Sequence, residues 1–215
     1  STSPLTWSKP DTSSAAPTLM ACAMTSSGDS LYVFGGFGKL PGASSAAPGK
    51  REKNSYQKEL WRVDPDLAWE HVIPSGDVPT ARLGHSLVAK SNGDLVLFGG
   101  SGNKADGGIV SDVHVFATAP CSWTRVAPSG LAPEARFRHT AFMLHGDRML
   151  VFAGSPDPKK ADLNDLYVLD CSSGMTGGDG SGEGGGGGFH WHSLESSGVT
   201  PEPRKEHTCV GWEGG

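Results

Sequence analysis

The sequence predicts an all-β protein assembled from repeated four-stranded antiparallel units, with no helix longer than about two turns. Three observations carry this expectation. Apolar runs ending in a small pair recur as LYVFGG (31–36), LVLFGG (95–100) and MLVFAG (149–154). A tryptophan follows each run in the same order, at Trp69, Trp123 and Trp191. The composition, 31 Gly and 15 Pro with only 19% charged residues, suits short strands joined by turns rather than a helical bundle. The period is regular between the first two units and the next: Arg82 to Arg136, Trp69 to Trp123 and Gly100 to Gly154 are each 54 residues apart.

Each element of one unit has a local reason. HSLVAK (85–90) and DLVLFGG (94–100) are two apolar strands joined by the turn-forming SNGD. Their nearly unbroken apolar character means that both faces are covered. Gly99 and Gly100 close the second strand where a side chain would obstruct a bend or a close backbone approach, as do Gly35, Gly36 and Gly154 in the other units. SDVHVFA (111–117) alternates and forms the third strand, repeated as KELWRVD (58–64) and NDLYVLD (164–170), so Trp61, His114 and Tyr167 share one position. CSWTRVA (121–127) is the fourth, carrying the packing Trp.

A period near 50 residues with a double glycine after an apolar strand resembles the kelch repeat, and the markers run from about Trp7 to His207, nearly the whole chain. The resemblance implies a kelch-type β-propeller, each four-stranded unit being one blade. The expected organisation is a partial propeller: 5–17 as the last strand of a preceding blade, complete blades at 18–75, 82–129 and 136–196, and 205–212 as the first strand of a following one. Three blades do not close a ring of roughly four to eight, so the chain reads as part of a longer propeller. Two insertions stand out. Residues 38–57 separate the second and third strands of the first blade, and the Gly-rich run 172–188 separates the third and fourth strands of the third blade as a passive linker.

The candidate site is a row of Arg-x-x-His segments: PTARLGHS (79–86), PEARFRHT (133–140) and PEPRKEHT (201–208). Counting back from Gly36 by the same spacing lands on Thr18 and Ala21, so the first blade lacks both residues. His85, His139 and His207 sit one blade apart, too far for one coordination sphere, and read as structural repeat residues with the glycines and tryptophans. Two roles are open to Arg82, Arg136 and Arg204: fixing the loops that lead into the inner strands, or ringing a channel mouth with guanidinium forks that grip carboxylates. In kelch adaptors that recruit acidic segments, arginines at this register contact the ligand, so the resemblance implies a protein partner with an acidic segment. Lys50, Arg51 and Lys53 in the first insertion would flank the same mouth, because loops after second and fourth strands open on one face.

Catalytic readings find less support. His190 and His192 share a strand face but have no carboxylate placed with them. The E-x-x-x-D-x-x-x-H ligand set of iron-dependent specifier proteins does not occur, and Tyr32, Tyr56 and Tyr167 show nothing of the copper site of galactose oxidase, itself a kelch-like propeller. GASSAAPGKR (42–51) departs from a phosphate-binding loop at Ser44 and Arg51. Glu59, Asp112 and Asp165 recur once per blade and read as edge chemistry. The four cysteines lack metal or redox spacing and read as small core residues. No catalytic residue, metal or cofactor is therefore expected, the alternative being the propeller domain of a metal-dependent lyase or oxidase. The charge of −5 gives no reason to expect nucleic acid, no apolar stretch is long enough for a membrane helix, and the cysteine pattern points to an intracellular, cytoplasmic setting. The expected function is a non-catalytic scaffold that binds a partner at one mouth of the channel.

Overall fold

The computed structural model describes residues 16–41, 54–172 and 188–210. Three four-stranded antiparallel sheets follow one another along the chain. The first contains Ala23–Ser27, Ser30–Phe34, Leu60–Val63 and Trp69–Val72. Ser86–Ala89, Leu95–Phe98, Val113–Ala117 and Ser122–Val126 build the second; Thr140–Leu144, Arg148–Gly154, Leu163–Asp170 and His190–Leu194 build the third. Among the described residues the sole helical piece is the short 3-10 turn Lys104–Asp106. The fold is that of a kelch-type all-β propeller segment, as the repeat requires.

Strand order within each blade is sequential because each connection is a tight antiparallel return. Trp61, His114 and Tyr167 do occupy one position, opposite Val33, Leu97 and Val151. First strands of successive blades lie side by side, which makes them the innermost strands and puts them around the axis. The second strand of the middle blade, Leu95–Phe98, is buried at every residue, since a blade covers each of its faces.

Blades are joined by the same aromatic step twice. Phe34 of the first blade meets Trp123 of the second at 5.3 Å, and Phe98 of the second meets Trp191 of the third at 5.0 Å, all four nearly or fully buried. Each such side chain contributes about 2–3 kcal/mol by burial. The histidine of the following blade packs edge-on against the same ring: Phe34–His85, Phe98–His139 and Phe152–His207, at 5.4, 5.2 and 5.3 Å. A second stitch lies at the rim. Ser75–Gly76, just past the first blade's last strand, pairs in parallel with Ser122 and Trp123, and Ser129–Gly130 pairs in the same way with His190 and Trp191.

Two expectations need correction. Ala23, Ser86 and Thr140 all face the last Phe of their hairpins, at Phe34, Phe98 and Phe152. The first hairpin reaches that pairing with a return one residue shorter, so the residues equivalent to Arg82 and His85 are Leu19 and Cys22, not Thr18 and Ala21. Leu19 opposite Gly38 and Arg82 opposite Gly102 agree. The first blade still lacks the Arg and the His. Residues 205–210 form no strand, because none of the described residues offers them a ladder partner. Most of the expected strand 5–17 lies outside the described residues, as do 42–53 and 173–187 of the two insertions.

Candidate functional site

Arg82 and Arg136 are fully buried, at 0% exposure. Arg82 Nη1 donates to Asp112 Oδ1 at 2.6 Å and Nη2 to Oδ2 at 3.0 Å; Arg136 grips Asp165 at 2.6 and 2.8 Å. Each Nη1 also donates to the carbonyl that ends the second strand, Gly99 or Ala153. Each Nε donates to the carbonyl two residues back, Thr80 or Glu134. Burial alone would raise the pKa of Asp112, but the Arg82 hydrogen bonds and charge outweigh it and hold the carboxyl below its ordinary value. Both guanidinium groups are thus filled from within, and neither presents a free fork in this conformation.

The backbone explains the glycines. Gly36 N–H donates to Arg82 O at 2.7 Å, Gly100 to Arg136 O at 2.8 Å and Gly154 to Arg204 O at 2.9 Å. A Cβ on Gly35 or Gly99 would stand 2.7–2.8 Å from those Arg carbonyls, and one on Gly100 or Gly154 would stand 2.8 Å from His85 or His139 Cβ. Arg204 joins the same frame, donating its N–H to Leu163 O and its Nε to Glu202 O. Its side chain is exposed, and the described residues hold no counterpart of Asp112 or Asp165 for it.

Histidines form a second row beneath. His139 Nε2 lies 3.0 Å from Ser86 Oγ and His207 Nε2 lies 2.8 Å from Thr140 Oγ1, each reaching to the first strand of the preceding blade. Ala23 holds that position for His85 and offers no polar group. Burial, reinforced by the neighbouring Arg, pushes His85 and His139 down to about 3. Both are therefore neutral at pH 7, as a packing histidine should be.

One row reaches the opening of the fan. Ala21, Gly84, Arg138 and Glu206 all have left-handed φ, between 50° and 63°. Gly84 N–H donates to Ala21 O at 2.9 Å, Arg138 to Gly84 O, and Glu206 to Arg138 O at 3.0 Å. These four residues, with Cys22, His85, His139 and His207, line a cavity of about 290 Å³. Arg138 Nη1 pairs with Glu206 Oε1 at 2.6 Å while both side chains stay accessible, at 36% and 60%. Its guanidinium also lies 5.2 Å from the Phe137 ring centroid, which helps fix its direction.

Sequence reasoning singled out Arg136 and passed over Arg138, two residues later. The signal available was variation in charge between a repeated Arg and a repeated His: the residue before the His is Gly84, Arg138 or Glu206. Asp112 and Asp165 were read as edge chemistry and are the bidentate partners of the buried arginines. The segment after each second strand pairs with the one leading into the same blade, at Phe37–Lys39 with Thr18–Met20 and at Ser101–Gly102 with Arg82–Leu83. Both kinds of loop therefore open on one face. Lys50, Arg51 and Lys53 lie outside the described residues. His190 and His192 share a face with ring centroids 4.4 Å apart, and His190 Nδ1 sits 2.8 Å from Ser129 Oγ. No group of three or more His, Cys, Asp or Glu among the described residues is placed to hold a metal ion.

A family model described as the KLHDC2/KLHL20/DRC7 Kelch-repeats domain matches residues 91–215, more than half of the chain. The chain is 29% identical over 185 residues to the dynein alpha chain of the flagellar outer arm of Chlamydomonas reinhardtii, covering 85% of this chain and 4% of that protein. It is 38% identical over 105 residues to host cell factor 1 of Homo sapiens, 48% of this chain and 5% of that one. A Rho GTPase-activating protein, gacHH of Dictyostelium discoideum, is 30% identical over 96 residues, 45% and 6%. The chain thus spans only about a twentieth of the length of these relatives.

Proposed function

Because the chain belongs to the kelch-repeat family, we propose that it is a non-catalytic protein-interaction scaffold, a segment of a longer propeller that takes an acidic stretch of a partner protein at the axial opening. The observation that carries this reading is Arg138: an accessible guanidinium at the rim of a cavity, on a backbone held by neighbours on both sides. Glu206 occupies part of that guanidinium as an internal carboxylate, the group that a partner's Asp or Glu would replace. Arg82 and Arg136 serve the site from behind, by holding the loops that present the rim. Arg204, exposed on the same backbone frame, adds positive charge that favours encounter with an acidic partner despite the net −5. Four free cysteines support an intracellular, cytoplasmic setting. Among the described residues no helix is long and apolar enough to cross a membrane.

The test is capture of acidic peptides by the chain and two variants, read by fluorescence polarisation at low and high salt. Arg138→Ala should weaken binding about tenfold or more at low salt, and Glu206→Gln should tighten it by removing the internal competitor. Equal affinity for all three proteins would overturn the assignment.

A further inference from the structure

The axial histidines obey a rule that is broken once. His139 and His207 each meet a hydroxyl, Ser86 or Thr140, from the first strand of the blade before. His85 takes the same pose: its ring stands edge-on to Phe34 as His139 stands to Phe98, and its Cε1 lies 2.9 Å from where a Cβ on Gly35 would be, as His139 Cε1 lies 3.1 Å from that of Gly99. The residue in the hydroxyl position is Ala23. His85 is 6% exposed, and no side chain bonds either of its ring nitrogens, which have only a poorly aligned contact with the Phe34 backbone. The Nδ1 atoms of His139 and His207 are also unpartnered, so what sets His85 apart is the missing hydroxyl. His85 lines the 290 Å³ cavity together with Arg138, and a neighbouring one of about 400 Å³ together with Ala23 and Cys22.

We propose that this vacancy is a specificity slot: a Ser or Thr hydroxyl of the partner segment enters beside Ala23 and bonds His85, completing the relay that Ser86 and Thr140 complete elsewhere. The proposal rests on the acidic-segment reading and adds to it a second, uncharged requirement at a fixed distance from the carboxylate. A hydroxyl fits the chemistry better than a second acid. Burial and Arg82 keep His85 neutral, so it has one donor and one acceptor nitrogen and no charge to offer. A buried polar atom left without a partner is costly, and a ligand that satisfies it gains discrimination over one that does not.

The probes are acetylated, amidated heptapeptides with Asp at the centre and Ser walked through the flanking positions, against Ala at each, and a matching set with Asn at the centre. Binding to the chain is read by fluorescence polarisation. One Ser position should bind about five- to tenfold tighter than its Ala counterpart. Ala23→Ser, which supplies the hydroxyl internally, should abolish that preference while keeping the Asp requirement; Arg138→Ala should remove the Asp requirement instead. If Ser equals Ala at every position while Asp is still required, the slot holds an ordered water only and the proposal is overturned, with the carboxylate reading intact. A Ser preference that persists in the Asn set without any gain from Asp would keep the slot and overturn the carboxylate reading.

Discussion

Arg136 closes on Asp165 through two parallel N–H···O bonds, and the residue two positions on, Arg138, points its guanidinium to the open cavity instead. The two arginines should separate cleanly in stability measurements. Arg136→Ala leaves the Ala153 carbonyl and the Asp165 carboxylate without their donors, which should cost about 3 kcal/mol or more in urea unfolding. Arg136→Lys should recover little, because an ammonium cannot reproduce the planar fork. Arg138→Ala breaks an accessible pair and should cost less than about 1 kcal/mol. Equal losses would mean that the buried pair does not organise the blade.

Acid should unfold the protein well above the carboxylate range. His85 and His139 titrate near 3 in the folded chain, and His114, held down first by burial, near 4. In the unfolded chain they titrate at about 6.5. The unfolded state therefore binds more protons between these values, so stability rises with pH through roughly pH 3 to 6.5 and levels off above. Asp112, depressed when folded, adds stability that is present above about 3.9 and is lost as pH falls through its lower folded value. Thermal melting across pH 4 to 8 should show a melting point that climbs to near neutrality; a flat profile from pH 5 to 7 would contradict the buried, neutral histidines.

Ala153 should be improvable. It occupies the position of Gly35 and Gly99 with φ of 59°, where an L side chain is strained by about 1 kcal/mol. Ala153→Gly should therefore raise stability by roughly 0.5–1 kcal/mol, a gain visible as a higher melting point. A lower melting point would mean that the Ala153 methyl earns its place by packing, in keeping with its complete burial.

The rim glycines give a test of propeller continuity. A Cβ on Gly130 would meet the Trp191 carbonyl at 2.3 Å, whereas one on Gly198, which has a similar φ of 86°, meets nothing within 4 Å. Gly130→Ala should cost clearly more than Gly198→Ala in this chain when both are melted side by side. In a longer protein where another blade follows, Gly198→Ala should become as damaging as Gly130→Ala. Equal effects in the isolated chain would contradict the parallel stitch at Ser129–Gly130.

Most of the blade was legible from the sequence because its signals are local. Strand alternation around Val113–Ala117, the turn residues of SNGD and the double glycines each act within a few neighbours. The register of the first blade was not, since a one-residue change in a hairpin return is invisible until Ala23 is seen opposite Phe34. The fate of the arginines was hidden for a different reason. Arg82 and Asp112 are 30 residues apart, and nothing in either neighbourhood says that one neutralises the other. Arg136 and Arg138 share one short stretch, PEARFRHT, in which nothing marks one for the core and the other for the opening.

The left-handed row Ala21, Gly84, Arg138 and Glu206 is tied along its length by main-chain N–H and C=O groups, with the Arg138–Glu206 ion pair added at one end. The frame does not depend on the side chains, so they can change at a conformational cost of about 1–2 kcal/mol when not glycine, least readily at Gly84, where a Cβ would stand 3.0 Å from Arg138 N. This separates the alphabet of recognition from the grammar of folding. A methyl, a hydrogen, a cation and an anion already stand there in succession, and rewriting those four letters would give the same scaffold a new preference.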